Sequence, residues 1–505
     1  MLRLQGIGLT AVLLGALLAA LPAAAAKPAS ASSSAAEAGG IVNPKQVYTY
    51  DIMLRDLQKL AERHPGLIRL HSVGESEYGR DIPAVDLGLG EAYILMNGSH
   101  HAREWITTVL IMAMLERYAE AYAMDESWNG VPVRDLLHRV TFRFVPMVNP
   151  DGVTLQQSGL SAFPEEMHGE LIVMNGGSVD FRRWKANAKG VDLNRQYPAD
   201  WDNIRNPAPG PYYMNYKGEA PLTAKEARAM AEATERTRPE IVVAYHSSGE
   251  MVYWNFHTKP EHLTRDLAIA TRYAKMTGYR LMRPEPNPSG GGYKDWFILT
   301  FGRPGLTPEL GRRAGETNVP LSEWERIWKQ HRETGWMFAE EAYNLWLGRQ
   351  TASQAEGEIR LIATQTAFRW PDHRSEKLGA LWPGRYKVLR LKSGWAEIDT
   401  PDGPRWTWAG RSPAGAFEPL GGIPVNLKPD MTLYLSPLDA LPAPRPLDAS
   451  EATALERWRD WIMVVTRQGT RWVKEAELFG GEDKTGGAEK PGDGDLSGFG
   501  ESAGP

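Results

Sequence analysis

Four apolar runs of strand length, each followed at once by polar residues, constrain the fold of this chain most. They lie between residues 41 and 349, where they alternate with helical patterns such as the 3.6-residue apolar repeat from Ile106 to Met114. A further helix is predicted to begin near Thr223, which has capping-box spacing to Glu226. This alternation predicts an α/β domain with a mostly parallel sheet. The four runs are Ala92 to Met96, Thr141 to Val148, Ile241 to Tyr245 and Gly305 to Thr307.

The polar clusters after these runs are the candidate functional residues. Ligands of open α/β sheets bind outside the carboxyl ends of the strands, so the clusters should converge. The first holds His100, His101 and Glu104, the third begins with His246, and the fourth contains Glu309. The second cluster is Asn149-Pro150-Asp151-Gly152.

The chain contains no cysteine, so any metal must be bound by His, Asp or Glu. A zinc hydrolase needs three protein ligands and one open position, and His101, Glu104 and His246 meet that count. His100 and Glu104 form an alternative pair four residues apart, which leaves the first ligand open at this point. The lack of cysteine also excludes thiol redox catalysis and a disulfide framework.

The charge balance argues against a polyanionic partner. The chain has 57 basic and 62 acidic residues, a formal net charge of −5, and no run of five or six like charges. Nucleic-acid binding normally requires a basic patch or stripe. No nucleic-acid partner is therefore expected.

The two ends of the chain read as segments outside the folded core. Residues 1–26 carry Arg3, an apolar stretch and a small-residue end, which predicts a cleaved signal peptide and a secreted, extracellular or cell-wall-associated protein. An uncleaved membrane anchor is the alternative, because residues 5–26 are long enough to span a bilayer. Residues 27–40 are predicted to be a flexible leader and residues 480–505 a disordered tail.

Beyond Arg349 the pattern changes to short β-branched and aromatic runs, which indicates an all-β region. Five of its residues recur at an offset of 66 positions, so two copies of one small domain are predicted, at 356–412 and 417–478. These stretches resemble bacterial SH3-like (SH3b) barrels, which implies a role in cell-wall attachment. Separate cores and dispensability for chemistry are expected. The matched residues are Trp395, Thr400, Gly403, Arg405 and Trp406, and Trp461, Thr466, Gly469, Arg471 and Trp472.

The segment from His101 to Thr107 resembles the signature of the zinc carboxypeptidase family. Later motifs follow in the order of that family over about 300 residues, among them Asn149-Pro150-Asp151-Gly152 and Gly190-Val191-Asp192-Leu193-Asn194-Arg195. The resemblance implies a carboxypeptidase-like fold over residues 41–349, with a mixed, mostly parallel sheet and helices on both faces. It also implies one zinc ion per chain, bound by His101, Glu104 and His246.

The resemblance further implies a role for each matched position. Glu309 fits the catalytic carboxylate, Asn194 and Arg195 fit the clamp on a terminal carboxylate, and Arg103 adds positive charge beside the ligands. Lys185 stands where carboxypeptidase A has the arginine that stabilises the oxyanion, so that role is open. Tyr293 lies near enough to the position of the mobile tyrosine to substitute for it.

The departures from carboxypeptidase A, together with the Trp184-to-Arg195 and His246-to-Trp254 segments, are similar to a bacterial branch of the family. That branch cleaves γ-D-glutamyl-diaminopimelate bonds in peptidoglycan peptides. Lys294 occupies the part of the sequence that forms the side-chain pocket, where an ammonium would favour an acidic side-chain end. A secreted general carboxypeptidase is the first alternative, and a cell-wall-binding protein with an inactive peptidase domain is the second.

Overall fold

The computed structural model describes residues 40–444 and 450–480. Apart from Gly40 and Gly480, the predicted signal peptide, leader and tail lie outside these residues. Within the described ranges, no helix is both long enough and apolar enough to cross a membrane.

Helices and strands alternate through residues 50–347. The helices are α1 (Tyr50–Arg63), α2 (Ile106–Ala123), α3 (Val133–Arg139), α4 (Pro150–Ser158), α5 (His168–Met174), α6 (Lys225–Thr237), α7 (Pro260–Thr277), α8 (Tyr293–Phe301), α9 (Trp324–His331) and α10 (Thr334–Leu347). The strands are β1 (Ile68–Glu75), β2 (Asp81–Gly88), β3 (Ala92–Asn97), β4 (Ser127–Trp128), β5 (Val131–Pro132), β6 (Val140–Val145), β7 (Ile241–Ala244), β8 (His246–Ser247), β9 (Met251–Tyr253), β10 (Arg280–Leu281) and β11 (Gly305–Leu310).

One mixed sheet organises this region, in the order β1-β2-β6-β3-β7-β11-β9-β10, with β8 paired to β11. Its centre is parallel, because β6, β3, β7 and β11 all run in the same direction, while β1 and β2 extend it with antiparallel pairs. The four predicted strands are β3, β6, β7 and β11, and they are the four strands of this parallel centre. The predicted fold class is confirmed.

Alternate residues of the central strands pack on opposite faces of the sheet. Ile94 and Met96 of β3 belong to one apolar core with α1, α2 and α10, whereas Leu95 belongs to a second core with α6 and α8. Successive side chains of a strand point to opposite faces, so both faces of the sheet must be covered. Helices on both faces therefore follow from strands that are apolar throughout.

The local motifs explain where two helices begin. Asn149 caps α4, its side chain accepting a hydrogen bond from the Gly152 amide at 2.9 Å, and Pro150 takes the first helical position. The predicted cap of α6 is wrong: the N-cap is Ala224, with no side-chain bond. Thr223 instead lies next to the Gln196 amide oxygen, 3.1 Å away, so a tertiary partner replaces the local one.

The region after Arg349 is antiparallel. Its strands are β12 (Ser353–Gln354), β13 (Glu358–Leu361), β14 (Gln365–Phe368), β15 (Lys377–Leu381), β16 (Gly384–Lys392), β17 (Trp395–Ile398), β18 (Arg405–Trp408), β19 (Glu418–Leu427), β20 (Ser450–Trp458), β21 (Trp461–Thr466) and β22 (Gly469–Lys474), followed by α11 (Glu475–Phe479). β12 to β18 form one sheet and β19 to β22 another. We call these sheets, with their connections, the first and second β-modules.

The repeat seen in the sequence is a repeated hairpin. β17 pairs with β18 and β21 with β22, and the residue pairing is the same in both once the 66-residue offset is applied. In each turn the threonine hydroxyl donates to the glycine carbonyl, from Thr400 to Gly403 at 2.6 Å and from Thr466 to Gly469 at 2.7 Å. The matched Thr and Gly residues are therefore turn residues. The limits of the two small domains stay a prediction.

The β-modules and the α/β region share apolar contacts, contrary to the expected separate cores. Trp395, Trp406 and Trp408 of the first module are buried in the same core as α10. The Tyr343 hydroxyl of α10 donates to the Ser393 carbonyl at 2.8 Å. The module therefore completes the covering of a face that would otherwise be apolar and exposed.

A buried ion network joins α3 to the modules. Arg134 donates to Asp439 at 2.9 Å, and both side chains are fully buried. Arg411 binds the same Asp439 at 2.8 Å and reaches Asp135 at 3.1 Å. Buried charges of this kind must be paired, so the network fixes the modules against the α/β region.

Candidate active site

The candidate ligand side chains lie together at the carboxyl edge of the sheet, where the sequence predicts that they converge. His101 and Glu104 belong to the short connection between β3 and α2, in which residues Ala102–Glu104 form a 3₁₀ turn. His246 begins β8, immediately after β7, the parallel neighbour of β3. Parallel strands end at the same edge, which brings residues 142 positions apart into contact.

The three side chains form a compact set of donor atoms that all lie within 4.8 Å of one another. His101 Nδ1 and His246 Nδ1 are each 2.9 Å from a different oxygen of Glu104, and the two ring nitrogens are 3.0 Å apart. Burial alone raises the pKa of the Glu104 carboxyl, but the charges of the two histidines outweigh it and hold that pKa below its usual range. Two imidazoles and one carboxylate with a shared centre fit an open Zn²⁺ site.

The alternative first ligand, His100, is not part of this set. Its Nε2 lies 2.9 Å from the Tyr197 hydroxyl, and its ring packs against Tyr293. Burial lowers the pKa of His100 well below its usual value. His100 is a buried packing residue behind the ligands.

Asp192 connects His101 to the neighbouring loop. One of its oxygens lies 3.1 Å from His101 Nε2, the other accepts from Lys185 Nζ at 2.8 Å, and the Asn194 amide donates to the carboxylate at 3.1 Å. Although burial raises the pKa of Asp192, the charges of Lys185 and His101 hold it well below its usual range. A carboxylate on the far nitrogen fixes the orientation and tautomer of a ligand histidine.

Glu309 stands beside the ligands because of strand register. It pairs with His246 across the parallel β8–β11 ladder, and on the other side with Met251 of β9. Burial raises the pKa of its carboxyl well above the usual range, the charge of Glu104 raises it further, and Lys185 opposes the rise. A carboxylate that is more basic than usual is suited to accept and return a proton.

A cleft of about 720 Å³ contains these groups. Every predicted site residue except Tyr293 lines it. Cations outnumber acids along its wall. The cations are Arg103, Lys185, Arg195, Arg205, Arg283, Lys294 and Arg313, and the acids are Glu104, Glu285, Asp295 and Glu309.

Asn194 and Arg195 face the cleft with hydrogen-bonding capacity to spare. The Asn194 Oδ1 accepts from the Tyr293 amide at 3.0 Å, which directs the side-chain NH₂ elsewhere. Among the described residues Arg195 forms no ion pair, and its buried Nε has no hydrogen-bond partner. Arg103, by contrast, donates to the Arg183 carbonyl at 3.0 Å.

The structure does not bring Tyr293 into the cleft. Its side chain is fully buried, and its hydroxyl lies 2.8 Å from the Thr234 hydroxyl on α6. Tyr293 is the first residue of α8, and its ring packs against Tyr197 and Trp296 instead of turning outward. The tyrosine that lines the cleft is Tyr253, which pairs with Thr307 on β11 and shares a face with Glu309.

Sequence reasoning assigned no role to Asp192, Tyr253 or Asp295. Asp192 lies within the Gly190-to-Arg195 motif, but it is 91 residues from His101 in the sequence, so their contact could not be read from local spacing. Tyr253 and Asp295 have no distinguishing spacing, and only the register of β9 and the start of α8 place them at the cleft.

A metal triad open to a cleft, with a proton-accepting carboxylate at its side, is suited to activating water, so the molecule is a metal-dependent hydrolase. Residues 53–334 match the sequence profile of the family described as zinc carboxypeptidase. The chain belongs to the zinc carboxypeptidase family, and it is a zinc metallopeptidase.

Known proteins agree with this assignment. The chain is 39% identical to gamma-D-glutamyl-L-diamino acid endopeptidase 1 of Lysinibacillus sphaericus over 295 residues, 57% of this chain and 72% of that protein. It is 30% identical to the uncharacterized protein YqgT of Bacillus subtilis (strain 168) over 292 residues, 57% of this chain and 76% of that one. A crystal structure of thrombin activatable fibrinolysis inhibitor matches with a TM-score of 0.50 at 16% identity, over 62% of this chain and 79% of the other, which shows the shared fold.

Proposed function

We propose that this chain hydrolyses peptidoglycan stem peptides at the γ-D-glutamyl-meso-diaminopimelate bond. The observation that carries the proposal is the excess of cations along the cleft, several of them close to the metal triad. A γ-linked D-glutamate keeps a free α-carboxylate next to the scissile bond, and diaminopimelate brings a second carboxylate together with a second ammonium, so such a peptide presents more carboxylates to the cleft than an ordinary one. The relative from Lysinibacillus sphaericus, named for cleavage next to a diamino acid, supports the same substrate class.

The proposed chemistry uses groups already in place. Zinc bound by His101, Glu104 and His246 would supply an activated water and a polarised carbonyl. Glu309 takes a proton from the attacking water and delivers it to the amine nitrogen of the leaving group. Glu309 is placed for both transfers because it lies across the β8–β11 ladder from His246.

The neighbouring cations bind and orient the substrate. Arg195 lines the cleft without an ion-pair partner among the described residues, and a planar guanidinium can bind both oxygens of a carboxylate at once. The NH₂ group of Asn194 adds a donor beside it. Lys185 and Arg103 contribute positive charge near the scissile carbonyl, and Lys185 offers a point charge at the oxyanion because Asp192 holds its ammonium in the cleft.

The test is a pair of matched peptides. One contains the γ-D-Glu-meso-diaminopimelate bond and the other has the same composition joined by an ordinary α-peptide bond. Purified, zinc-loaded protein is expected to cleave the first with the larger kcat/KM. A faster rate on an α-linked peptide with C-terminal leucine would support the general carboxypeptidase instead, and no turnover of either would support an inactive domain.

The β-modules are proposed to hold the exported enzyme at the cell wall. Trp370 lies in the connection between β14 and β15, and Trp382 directly follows β15. The two residues are 61% and 70% exposed. Large exposed aromatic side chains commonly mark binding surfaces. Sedimentation with insoluble cell-wall sacculi should be lost in the Trp370→Ala, Trp382→Ala protein, and binding equal to that of the unmodified chain would reject this role.

A further inference from the structure

Two adjacent charged residues of opposite sign occupy one part of the cleft wall. Lys294 and Asp295 lie in the first turn of α8, which begins at Tyr293 and has Gly292 as its N-cap. Their side chains are only 8% and 15% exposed, and the Lys294 ammonium forms an ion pair with Asp295 Oδ1. Both residues line the same cleft as the metal triad and Arg195.

Lys294 is held in place by its surroundings. Its stem crosses Gly305, where a Cβ would come within 2.9 Å of the Lys294 Cγ. The ammonium donates to the Asn255 carbonyl at 3.1 Å and lies 5.8 Å from the centre of the Phe256 ring. Lys294 therefore does not point into bulk solvent.

The pair retains capacity for a ligand on both sides. An ammonium has three N–H donors, and the ion pair and the Asn255 carbonyl account for two of those of Lys294. The second oxygen of Asp295 is likewise not used by Lys294. The wall thus offers one positive and one negative group side by side and is close to neutral as a unit.

Such a wall distinguishes ligands by their charge pattern. A lone carboxylate gains from Lys294 but is repelled by Asp295, and a lone ammonium experiences the reverse. A group that carries an ammonium and a carboxylate on the same carbon can meet both with favourable sign. The far end of meso-diaminopimelate has this form, whereas lysine ends in an ammonium alone.

We propose that Lys294 and Asp295 together form a subsite for a zwitterionic side-chain end, with Lys294 binding its carboxylate and Asp295 its ammonium. This inference rests on the proposed function, since it names the feature of the diamino acid that the cleft recognises. It also revises the sequence-based expectation, in which the Lys294 ammonium alone favours an acidic side-chain end.

The experiment uses three γ-D-glutamyl peptides that differ only at the residue after the scissile bond. That residue is meso-diaminopimelate with both charges, L-lysine with the ammonium only, or 2-aminopimelate with the carboxylate only. On the zinc-loaded full chain, kcat/KM for the first is expected to exceed each of the others by about tenfold or more, the usual size of a charge-assisted hydrogen bond.

The variants separate the two contacts. Lys294→Met should remove most of the preference for diaminopimelate over lysine, and Asp295→Asn most of the preference over 2-aminopimelate. Lys294→Arg should keep the first preference. Lys275→Met is the matched control, because Lys275 is an exposed lysine on α7 that does not line the cleft, and it should leave both ratios unchanged. If Asp295→Asn does not fold, Asp295→Ser makes the same test.

The outcomes distinguish this subsite from the reaction itself. Equal kcat/KM for the three peptides, or variants that lower all three alike, would overturn the subsite while leaving the γ-D-glutamyl reaction standing. If the unmodified enzyme cleaves only α-linked peptides, the proposed function fails. The same three residues placed after an α-linked bond then decide the subsite, which is overturned if their rates are equal.

Discussion

His101, Glu104 and His246 each supply one donor atom, and these atoms lie within 4.8 Å of one another. Removing any one of the three should therefore lower the affinity for the metal. His246→Ala leaves two ligands, and we expect its zinc content at limiting metal to fall well below that of the unmodified chain. Elemental analysis after dialysis measures this. His257→Ala, which removes an exposed histidine outside the cleft, should retain zinc. Full zinc content in His246→Ala would remove that residue from the site.

Glu309 should matter for turnover and not for metal content. Glu309→Gln keeps the size of the side chain but cannot accept a proton, so kcat is expected to fall by about 10²- to 10⁴-fold with zinc retained. Glu285→Gln is the control, since Glu285 lines the same cleft but pairs with Arg205 at the surface. Turnover near normal in Glu309→Gln would show that another group moves the proton.

The meeting of the candidate site residues was the easiest feature to predict from the sequence, because each follows a strand of the parallel centre. His101, Glu104, His246 and Glu309 meet for that reason. Tyr293 could not be placed correctly, since its neighbour in the sequence, Lys294, enters the cleft while the Tyr293 ring turns into the core with α6. Neighbouring residues of a helix point in directions about 100° apart, so a shift of one residue moves a side chain from the cleft into the core. The spacing of residues in the sequence does not specify which of the two neighbours faces the cleft.

The packing of α9 makes one element sensitive to acid. His331 ends this helix, fully buried among the rings of Tyr245, Tyr273 and Tyr279, with Nδ1 2.8 Å from the Tyr273 hydroxyl. Burial lowers the pKa of His331 to about 3. In the unfolded chain His331 binds a proton near pH 6.5, whereas in the folded chain it does so only near pH 3. The free energy of unfolding is therefore unaffected by His331 above pH 6.5 and decreases as the pH falls from there toward 3.

Between pH 6.5 and 5 the loss due to His331 should approach about 2 kcal/mol, at about 1.4 kcal/mol per pH unit. Urea unfolding at several pH values should therefore show a shallower decline of the free energy of unfolding for His331→Gln than for the unmodified chain. His257→Gln should keep the original slope. Parallel curves for all three proteins would mean that His331 does not contribute to acid sensitivity.

At the scale of the whole molecule, the ion network between α3 and the β-modules should contribute to stability. Arg411→Met removes the ion pair with Asp135 and one of the two arginine partners of Asp439. We expect the free energy of unfolding to fall by about 3 to 5 kcal/mol. Arg385→Met removes an arginine that is 37% exposed and should cost less than about 1 kcal/mol. Equal, small effects in denaturant titrations would show that the buried network is not stabilising.

Cutting the chain near Ser353 removes both modules and uncovers the part of α10 that packs against Trp408. The truncated protein should melt at a lower temperature, since it loses part of a shared core. Its kcat/KM on a soluble peptide should be nearly unchanged, because no residue beyond Gly315 lines the cleft among those that the structure describes. A truncated protein that is folded and zinc-loaded but inactive would show that the modules shape the site.

The position of the β-modules also determines the direction in which the cleft faces when the enzyme is attached to a surface. Arg134 and Asp135 lie on α3, just before β6 begins, and the Leu137 carbonyl accepts from the Leu89 amide near the start of β3. The modules therefore dock at the amino edge of the parallel strands, whereas the zinc ligands follow the carboxyl edge, about 20 Å away for strands of six residues. An enzyme anchored to a surface through the far side of its modules would turn its cleft outward. It would then cleave soluble peptidoglycan fragments that diffuse in from the medium, and it would not cleave the peptidoglycan to which its modules are bound.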